Sequence, residues 1–201
     1  MTLTAMLLVG GQSRRLGTDK AMLMLAGEPL WRRQLRLLCQ LEPQALWISA
    51  RTRPVWCPPS VEVILDEPPS RGPLSGIAAA LSRLRTSHLL ALGLDMPRMT
   101  LEFLKKLTTM PGHGAGVIPE NDGWFEPLGA VYPVLAAAAA AHAITQSDDA
   151  SMQNFARLLC GQNLLRSYAL SESERSLYLN VNTPGDLPDS GLAPLFPLPS
   201  G

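Results

Sequence analysis

Short, almost continuously apolar runs punctuate this chain and are separated by longer stretches that mix apolar and polar residues. Three of these runs, Ala5–Val9, Ala45–Ala50 and His88–Leu94, lack the apolar–polar alternation of a half-exposed strand. Such runs are typical of strands buried on both faces of a sheet. Further strands are predicted at Val61–Leu65, Ala115–Pro119, Pro127–Tyr132, Leu164–Leu170 and Leu177–Val181.

Between the strands, apolar residues recur at helical spacing. Within Pro29–Leu41 they fall on one helix face, with arginines between them. Further helices are predicted at Leu74–Arg85, from a Thr100 cap to Thr108, at Pro133–Ile144 and at Ser151–Leu159. Strands that alternate with helices predict an α/β domain whose mostly parallel sheet is covered on both faces. We expect one domain over residues 1–187, followed by a disordered, Pro-, Gly- and Ser-containing tail at 188–201.

Composition narrows the possible classes of protein. At 201 residues and 46% hydrophobic, the chain can bury one core. Its 17 Lys and Arg balance 17 Asp and Glu, which argues against a nucleic-acid binder. The three scattered cysteines have no metal-type spacing, and they indicate reduced thiols in a cytoplasmic protein. The sequence shows no membrane-length apolar stretch and no secretory signal, so no membrane association is expected.

Polar features follow three of the predicted strands. The first strand ends at Gly10-Gly11, the third at Asp66 and the fourth at Asp95. Because ligands of such sheets bind beyond the carboxyl ends of the strands, these features should share one site. Adjacent glycines let backbone N–H groups approach an anion, and Arg15 and Lys20 add positive charge. This predicts a triphosphate site, with a tight turn into a helix as the alternative; neither a P-loop nor a G-x-G-x-x-G motif is present.

Five segments carry a resemblance to a known family. The first, "GGQSRRLGTDKA" (Gly10–Ala21), resembles the signature of nucleotidyltransferases that build nucleotide-activated cofactors and sugars. The segments that resemble the molybdenum cofactor branch of these enzymes are "GPLSGIAAAL" (Gly72–Leu81), "GLDMP" (Gly93–Pro97), "EPLGAVYP" (Glu126–Pro133) and "NVNTPGDL" (Asn180–Leu187). From Ala5 to Leu187 the chain is similar to the molybdenum cofactor guanylyltransferases. It departs from them at Val9, where Ala is usual, at Gly93, where Cys or Ala is usual, and at Ile48–Arg51, where an Asn is common.

The resemblance implies a Rossmann-like fold, three layers deep, and transfer of GMP from GTP to molybdopterin. Other cofactor biosynthesis proteins and the recipient molybdoenzymes are implied as partners. Arg15 and Lys20 would neutralise the leaving pyrophosphate, and Asp95 would bind nucleotide and Mg²⁺ as the third catalytic residue. The implied nucleotide contacts are Leu8, Val9, Gly10, Gly11, Lys20, Asp66 and Asp95, and the implied acceptor contacts are Asn180 and Asn182.

Several alternatives stay open at the level of sequence. Asp66, Asn180 and Asn182 could be turn residues, and Asp95 could cap the following turn. Asn121–Pro127 predicts a hairpin or loop that could lie beside the acceptor, with Trp124 packed in the core or on the pterin; we favour the core. The nucleotide could be CTP, or the acceptor a sugar or polyol phosphate. The chain could also be a nucleotide-binding module without turnover.

Overall fold

A computed structural model describes residues 1–9, 20–66, 72–112, 114–140 and 151–180. The strands are β1 (Leu3–Leu8), β2 (Met24–Leu25), β3 (Glu28–Pro29), β4 (Ala45–Ala50), β5 (Glu62–Leu65), β6 (His88–Gly93), β7 (Gly116–Asn121), β8 (Trp124–Phe125), β9 (Gly129–Pro133) and β10 (Leu165–Ala169). The helices are α1 (Leu30–Cys39), α2 (Pro73–Arg83), α3 (Leu101–Thr109), α4 (Met152–Gly161) and α5 (Glu172–Arg175). Short 3₁₀ turns occupy Lys20–Met22, Val134–Ala136 and Ser176–Tyr178.

Among the described residues, eight strands form one mixed, mostly parallel sheet. Its order is β10–β7–β9–β6–β1–β4–β5, and β8 pairs with the end of β7. Strand β9 runs antiparallel to its neighbours β6 and β7, while β1, β4, β5 and β6 are parallel to one another and β10 is parallel to β7. The carboxyl ends of these parallel strands therefore lie at one edge, which we call the carboxyl edge.

Helices cover both faces of the sheet. Ala5 and Leu7 of β1 join the apolar cluster that contains residues of α1 and α3, whereas Met6 and Leu8 join the cluster that contains residues of α2 and α4. Every residue of β1 is buried, as the uninterrupted apolar run predicts. The three-layer α/β architecture predicted from the sequence is confirmed.

The predicted helices and strands match the described part of the structure closely, with one error. The described part of the strand predicted at Leu177–Val181, up to Asn180, is not a strand, because Ser176–Tyr178 forms a 3₁₀ turn that continues from α5. This turn buries Tyr178, whose hydroxyl donates to the Gly129 carbonyl at 2.8 Å. A Cβ at Gly129 would lie 2.5 Å from the Tyr178 ring, so the close packing requires glycine there. The proposed tail at 188–201 and most of the second half of the Pro133–Ile144 helix lie outside the described residues.

Two further expectations concern cysteines and membranes. Cys39, Cys57 and Cys160 are all free thiols, and they lie at exposed, buried and partly buried positions respectively. Within the described ranges, no helix combines the length and apolarity needed to cross a bilayer.

Candidate active site

Lys20 and Asp95 meet at the carboxyl edge. The Lys20 amine nitrogen lies 4.0 Å from an Asp95 carboxylate oxygen, and both side chains are partly exposed. This distance is within ion-pair range but longer than a direct hydrogen bond. Because both side chains are partly exposed, one charged ligand at this edge can contact both groups.

Lys20 is positioned by the 3₁₀ turn that it begins. Ala21 in this turn is completely buried, and the Leu23 amide donates to the Lys20 carbonyl at 3.1 Å. The hairpin of β2 and β3 follows, with Ala26 and Gly27 at positive φ in its two-residue turn. This arrangement leads directly into α1 and anchors the lysine against that helix.

Asp95 lies in the loop between β6 and α3. The Leu94 amide donates to the Leu8 carbonyl at 3.0 Å, which continues the pairing of β6 with β1 to the residue before Asp95. Burial raises the pKa of the Asp95 carboxyl above its ordinary value, and the nearby Lys20 partly offsets this effect. A Cβ at position 93 would lie 2.9 Å from an Asp95 carboxylate oxygen, so Gly93 leaves room for the carboxylate.

Asp66 follows β5 and pairs with a residue of the neighbouring strand. The Ser49 hydroxyl in β4 donates to the Asp66 carboxylate at 3.3 Å, and the Asp66 amide donates to the Ala50 carbonyl. The first turns of α2 pack directly against this pair, since a Cβ at Gly76 would lie 2.1 Å from the Ser49 hydroxyl oxygen. A small cavity here is lined by Leu8, Ser49, Arg51, Asp66, Gly72 and Pro73.

Leu8 and Val9 connect the Asp66 side of this edge with the Asp95 side. Val9 donates its amide to the Ser49 carbonyl at 3.0 Å, while Leu8 accepts from Leu94 on the other side. Leu8 is buried and Val9 is half-buried. Lys20, Asp95, Leu8, Val9 and Asp66 are thus gathered at one edge, whereas Arg15, Gly10, Gly11 and Asn182 lie outside the described residues.

A hairpin of β7 and β8 extends the same edge toward β10. Asp122 and Gly123 form its two-residue turn, both with positive φ, which confirms the hairpin predicted at Asn121–Pro127. The prediction that Trp124 packs in the core is wrong, because its side chain is 63% exposed. Phe125, the next residue, packs against the core instead, as the alternation of strand side chains requires.

Three side-chain contacts hold this hairpin. Gln153 of α4 donates to the Phe125 carbonyl at 2.7 Å and accepts from the Phe125 amide at 3.2 Å. The Arg175 guanidinium lies 2.5 Å from an Asp122 carboxylate oxygen. Trp124 is therefore displayed on a strand that is fixed from two directions.

Glu126 lies between β8 and β9, where sequence analysis did not identify a candidate functional residue. Burial raises the pKa of its carboxyl to about 6, and a hydrogen bond with the Asn121 side chain opposes the increase. Two residues later, Leu128 accepts the Gly93 amide at 2.7 Å. The segment that carries Glu126 therefore joins the Asp95 side of the edge, and only its position after a predicted hairpin could have indicated this.

Asn180 is the last residue that the structure describes, and it is exposed. Its approach to the carboxyl edge is set by Tyr178, which packs on Gly129 at the start of β9. A second network supports the preceding segment. Burial alone would raise the pKa of the Glu174 carboxyl. Hydrogen bonds from Lys106, Ser171 and Tyr168 outweigh this effect and lower the pKa to about 2.

The chemistry of the edge limits the kind of metal ion it could hold. Among the described residues, no group of three or more His, Cys, Asp or Glu side chains is placed to enclose a metal. Asp95 offers one partly exposed carboxylate beside Lys20. One carboxylate fits a hard divalent cation whose other ligands are substrate phosphates and water, as is usual for Mg²⁺.

A larger cavity, of about 580 Å³, lies at the opposite edge of the sheet. Its lining comprises Thr4, Gln44, Ala45, Trp47, Glu62, Arg83, Arg85 and Thr86. None of the predicted site residues is in this lining. Although this cavity is the larger of the two, the carboxyl edge is the better candidate site. The charged side chains converge there, and ligands of such sheets bind beyond the carboxyl ends of the strands.

Comparison with known proteins identifies the family and supports the fold. The family model described as the MobA-like NTP transferase domain matches residues 5–162. A protein of Opitutus terrae, named probable molybdenum cofactor guanylyltransferase, is 35% identical over 187 residues that cover 92% of each chain. A protein of Chloroflexus aggregans with the same name is 32% identical over 93% of this chain and 92% of its own.

A solved structure resembles the whole fold. It is that of molybdopterin-guanine dinucleotide biosynthesis protein A from Archaeoglobus fulgidus, which is 26% identical. The TM-score is 0.68, and the match covers 91% of this chain and 94% of the other. The sequence and structure comparisons thus extend across nearly the whole chain.

Proposed function

The chain belongs to the MobA-like NTP transferase family, and on that premise we propose that it transfers the GMP group of GTP to molybdopterin. The products are the guanine dinucleotide form of the cofactor and pyrophosphate. Supporting this proposal, relatives that are 30–35% identical bear the name molybdenum cofactor guanylyltransferase. The matches with the proteins of Opitutus terrae and Chloroflexus aggregans cover 92% and 93% of this chain.

The observation that carries the proposal is the 4.0 Å approach of Lys20 to Asp95 at one end of a row of ligand-binding positions. Asp66 marks the other end, three strands away in the order β6–β1–β4–β5. Three interstrand spacings amount to roughly 14 Å. A nucleoside triphosphate would span this row with its nucleoside beside Asp66 and its phosphates beside Lys20 and Asp95.

The Asp66 end suits the nucleoside. Its carboxylate already accepts from Ser49, and Gly76 allows α2 to pack close behind both groups. The Asp66 carboxylate, held in place by Ser49, can accept a hydrogen bond from an N–H or O–H group of the guanosine. Ser49 supplies a short polar side chain near the end of β4.

The Lys20 end suits the phosphates. Positive charge there stabilises the negative charge that builds on pyrophosphate as it leaves. Arg15, outside the described residues, would add to this charge. Bound Mg²⁺ would neutralise phosphate charge and align the attacking and leaving oxygens. Asp95 would hold that ion through its carboxylate, while Lys20 contacts the phosphate oxygens.

No protein nucleophile is required for this reaction. The terminal phosphate of molybdopterin attacks the α-phosphorus of GTP, a new P–O–P bond forms, and the bond to pyrophosphate breaks. A phosphate monoester is mostly ionised at neutral pH, so it attacks without a strong general base. The protein then contributes mainly position and charge.

The acceptor is proposed to bind on the β7–β8 side of Asp95. Trp124 is 63% exposed there, and Asn180 lies beyond Tyr178 near the start of β9. An exposed indole can stack on a planar pterin, and the amide of Asn180 can bond its polar edge. Asn182 is proposed as a second contact, on the basis of the resemblance alone.

The experiment that tests this function mixes purified protein, molybdopterin, MgCl₂ and one nucleoside triphosphate at a time. We expect GTP to yield pyrophosphate and the guanine dinucleotide in equal amounts. CTP, ATP and UTP should yield little product. Preference for CTP would overturn the guanine assignment, and GTP binding without product would favour a non-catalytic module.

A further inference from the structure

Helix α1 is bonded to the segment that carries Lys20. The Leu30 amide, at the first residue of the helix, donates to the Leu23 carbonyl at 2.8 Å. The Leu23 amide in turn donates to the Lys20 carbonyl at 3.1 Å. Two successive backbone hydrogen bonds thus connect the lysine to the helix start, so a displacement of α1 would displace Lys20.

The same helix also holds the loop that carries Asp95, through side chains. The Gln34 amide nitrogen donates to the Met96 carbonyl at 2.6 Å, and the Arg33 Nε donates to the Pro97 carbonyl at 3.1 Å. Met96 and Pro97 directly follow Asp95. The Met96 carbonyl also accepts the Met99 amide at 3.2 Å, which closes the turn after the aspartate.

Burial makes these contacts significant. Gln34 is fully buried and Arg33 is only 4% exposed. Burial lowers the pKa of the Arg33 guanidinium, Arg36 beside it adds to the decrease, and Glu28 opposes it. A buried polar group that loses its partner costs about 1–3 kcal/mol. Apolar residues are the usual occupants of such positions, so two polar side chains there indicate a specific task.

We propose that Gln34 and Arg33 are positioning residues that set the distance between Lys20 and Asp95. The proposal rests on the function proposed above for that pair. Helix α1 acts as one rigid connection between the two charged groups, because both of their segments are bonded to it within its first two turns. Binding of the phosphates therefore does not require the protein to bring the two halves of the site together.

The test compares Gln34→Leu with Leu38→Ala. The first substitution removes the amide donors and keeps a similar side-chain volume. The second removes buried volume one turn later on α1, and it takes away no hydrogen bond to the Asp95 loop. Hydrogen exchange of the Leu94 and Met99 amides, urea unfolding and steady-state kinetics are measured on both full-length variants.

Gln34→Leu should accelerate exchange of the Met99 amide about tenfold more than its loss of global stability explains. It should also lower kcat about tenfold, with a much smaller change in the KM for GTP. Leu38→Ala should lower global stability and leave both kcat and the relative loop protection close to those of the wild type. Wild-type loop exchange and kcat in Gln34→Leu would overturn the proposal.

A second pair covers the case in which Gln34→Leu does not fold. Arg33→Lys keeps a charged donor within reach of the Pro97 carbonyl, whereas Arg33→Met does not. Protection of the Asp95 loop from hydrogen exchange and kcat should both be higher in Arg33→Lys than in Arg33→Met. Equal values in the two variants would contradict the proposal. Loop exchange is measured without turnover, so it still decides the positioning role if the wild-type protein proves not to transfer GMP.

Discussion

Lys20 and Asp95 stand 4.0 Å apart, measured from amine nitrogen to carboxylate oxygen, although they are distant in the sequence. The lysine begins a 3₁₀ turn next to α1, and the aspartate follows β6. Their separation and partial exposure suit a ligand that carries both negative phosphates and a metal ion. Asp66 extends the site on one side of this pair, and Glu126 and Trp124 extend it on the other.

Replacing Lys20 should reduce catalysis through the loss of positive charge. Lys20→Ala is expected to lower kcat/KM by about 10²–10³-fold, the usual cost of removing one transition-state contact. Because Lys20 lowers the pKa of Asp95, its removal should raise that pKa further and move the acid limb of the pH–rate profile upward. Lys20→Arg should keep more activity, and the exposed Lys105→Ala should have no effect. Pyrophosphate release measures the activity of each variant. A kcat/KM of Lys20→Ala within threefold of the wild-type value would contradict a role for Lys20 in catalysis.

Adding a methyl group at Gly76 should disrupt the nucleoside side of the site. The new Cβ would lie 2.1 Å from the Ser49 hydroxyl and 3.2 Å from the Asp66 carboxylate. Gly76→Ala should therefore lower stability by about 1–3 kcal/mol and weaken GTP binding. Urea unfolding and calorimetric titration with GTP measure the two effects.

Two further variants locate the cause of the Gly76→Ala effect. Gly161→Ala adds a Cβ with nothing within 4 Å and should change stability little. Adding Ser49→Ala to Gly76→Ala removes the atom in closest contact, so it should recover part of the lost stability. No recovery in the double variant would mean that the contact with Ser49 is not the cause.

Trp124 should affect the acceptor and not the nucleotide. Trp124→Ala is expected to raise the KM for molybdopterin about tenfold, since stacking of a ring on an aromatic side chain contributes about 1–3 kcal/mol. The KM for GTP and the unfolding free energy should stay nearly constant, because the indole is 63% exposed. Leu135→Ala is the matched control, being 61% exposed at the opposite edge of the sheet. An unchanged acceptor KM in Trp124→Ala would exclude the stacking role.

Glu126 should make stability depend on pH. Its folded-state pKa of about 6 is above the ordinary value of 4.5, so the folded protein binds the proton more tightly than the unfolded chain. The resulting stabilisation is present below pH 4.5 and is lost as the pH rises through about 6. Because the side chain is partly exposed, screening should limit the loss to about 1 kcal/mol.

Glu126→Gln lacks this titration. Its unfolding free energy, compared with that of the wild type at a series of pH values, should therefore improve relative to the wild type as the pH rises through this range. Parallel curves for the two proteins would show that the carboxyl does not titrate abnormally.

The sequence predicted the main strands and helices because strands buried on both faces leave an unmistakable apolar pattern. It also predicted the meeting of Lys20 and Asp95, since carboxyl ends of parallel strands share an edge. The strand predicted at Leu177–Val181 was wrong because the capping box of Ser171 and Glu174 begins a short helix that runs into a turn. That local hydrogen bonding outweighed the apolar pattern.

Other features of the site depend on packing that a single sequence does not specify. Arg33 carries a charge, and charged side chains are mostly exposed, yet it is buried and donates to the Pro97 carbonyl in the loop after Asp95. The contact of Ser49 with Asp66 depends on how closely α2 approaches at Gly76. The exposure of Trp124 depends on which residues of β8 face the core. Phe125 faces the core, so its neighbour Trp124 faces outward.

Calorimetric titration of GTP into wild-type protein and Asp95→Asn, each with and without MgCl₂, tests most directly whether Asp95 binds the metal ion beside Lys20. We expect Mg²⁺ to tighten GTP binding by the wild type at least tenfold, about 1.4 kcal/mol, and to leave the affinity of Asp95→Asn for GTP unchanged. Glu102→Gln, an exposed carboxylate substitution on α3, should behave like the wild type. Full Mg²⁺ enhancement in Asp95→Asn would contradict the claim that this carboxylate holds the metal opposite Lys20.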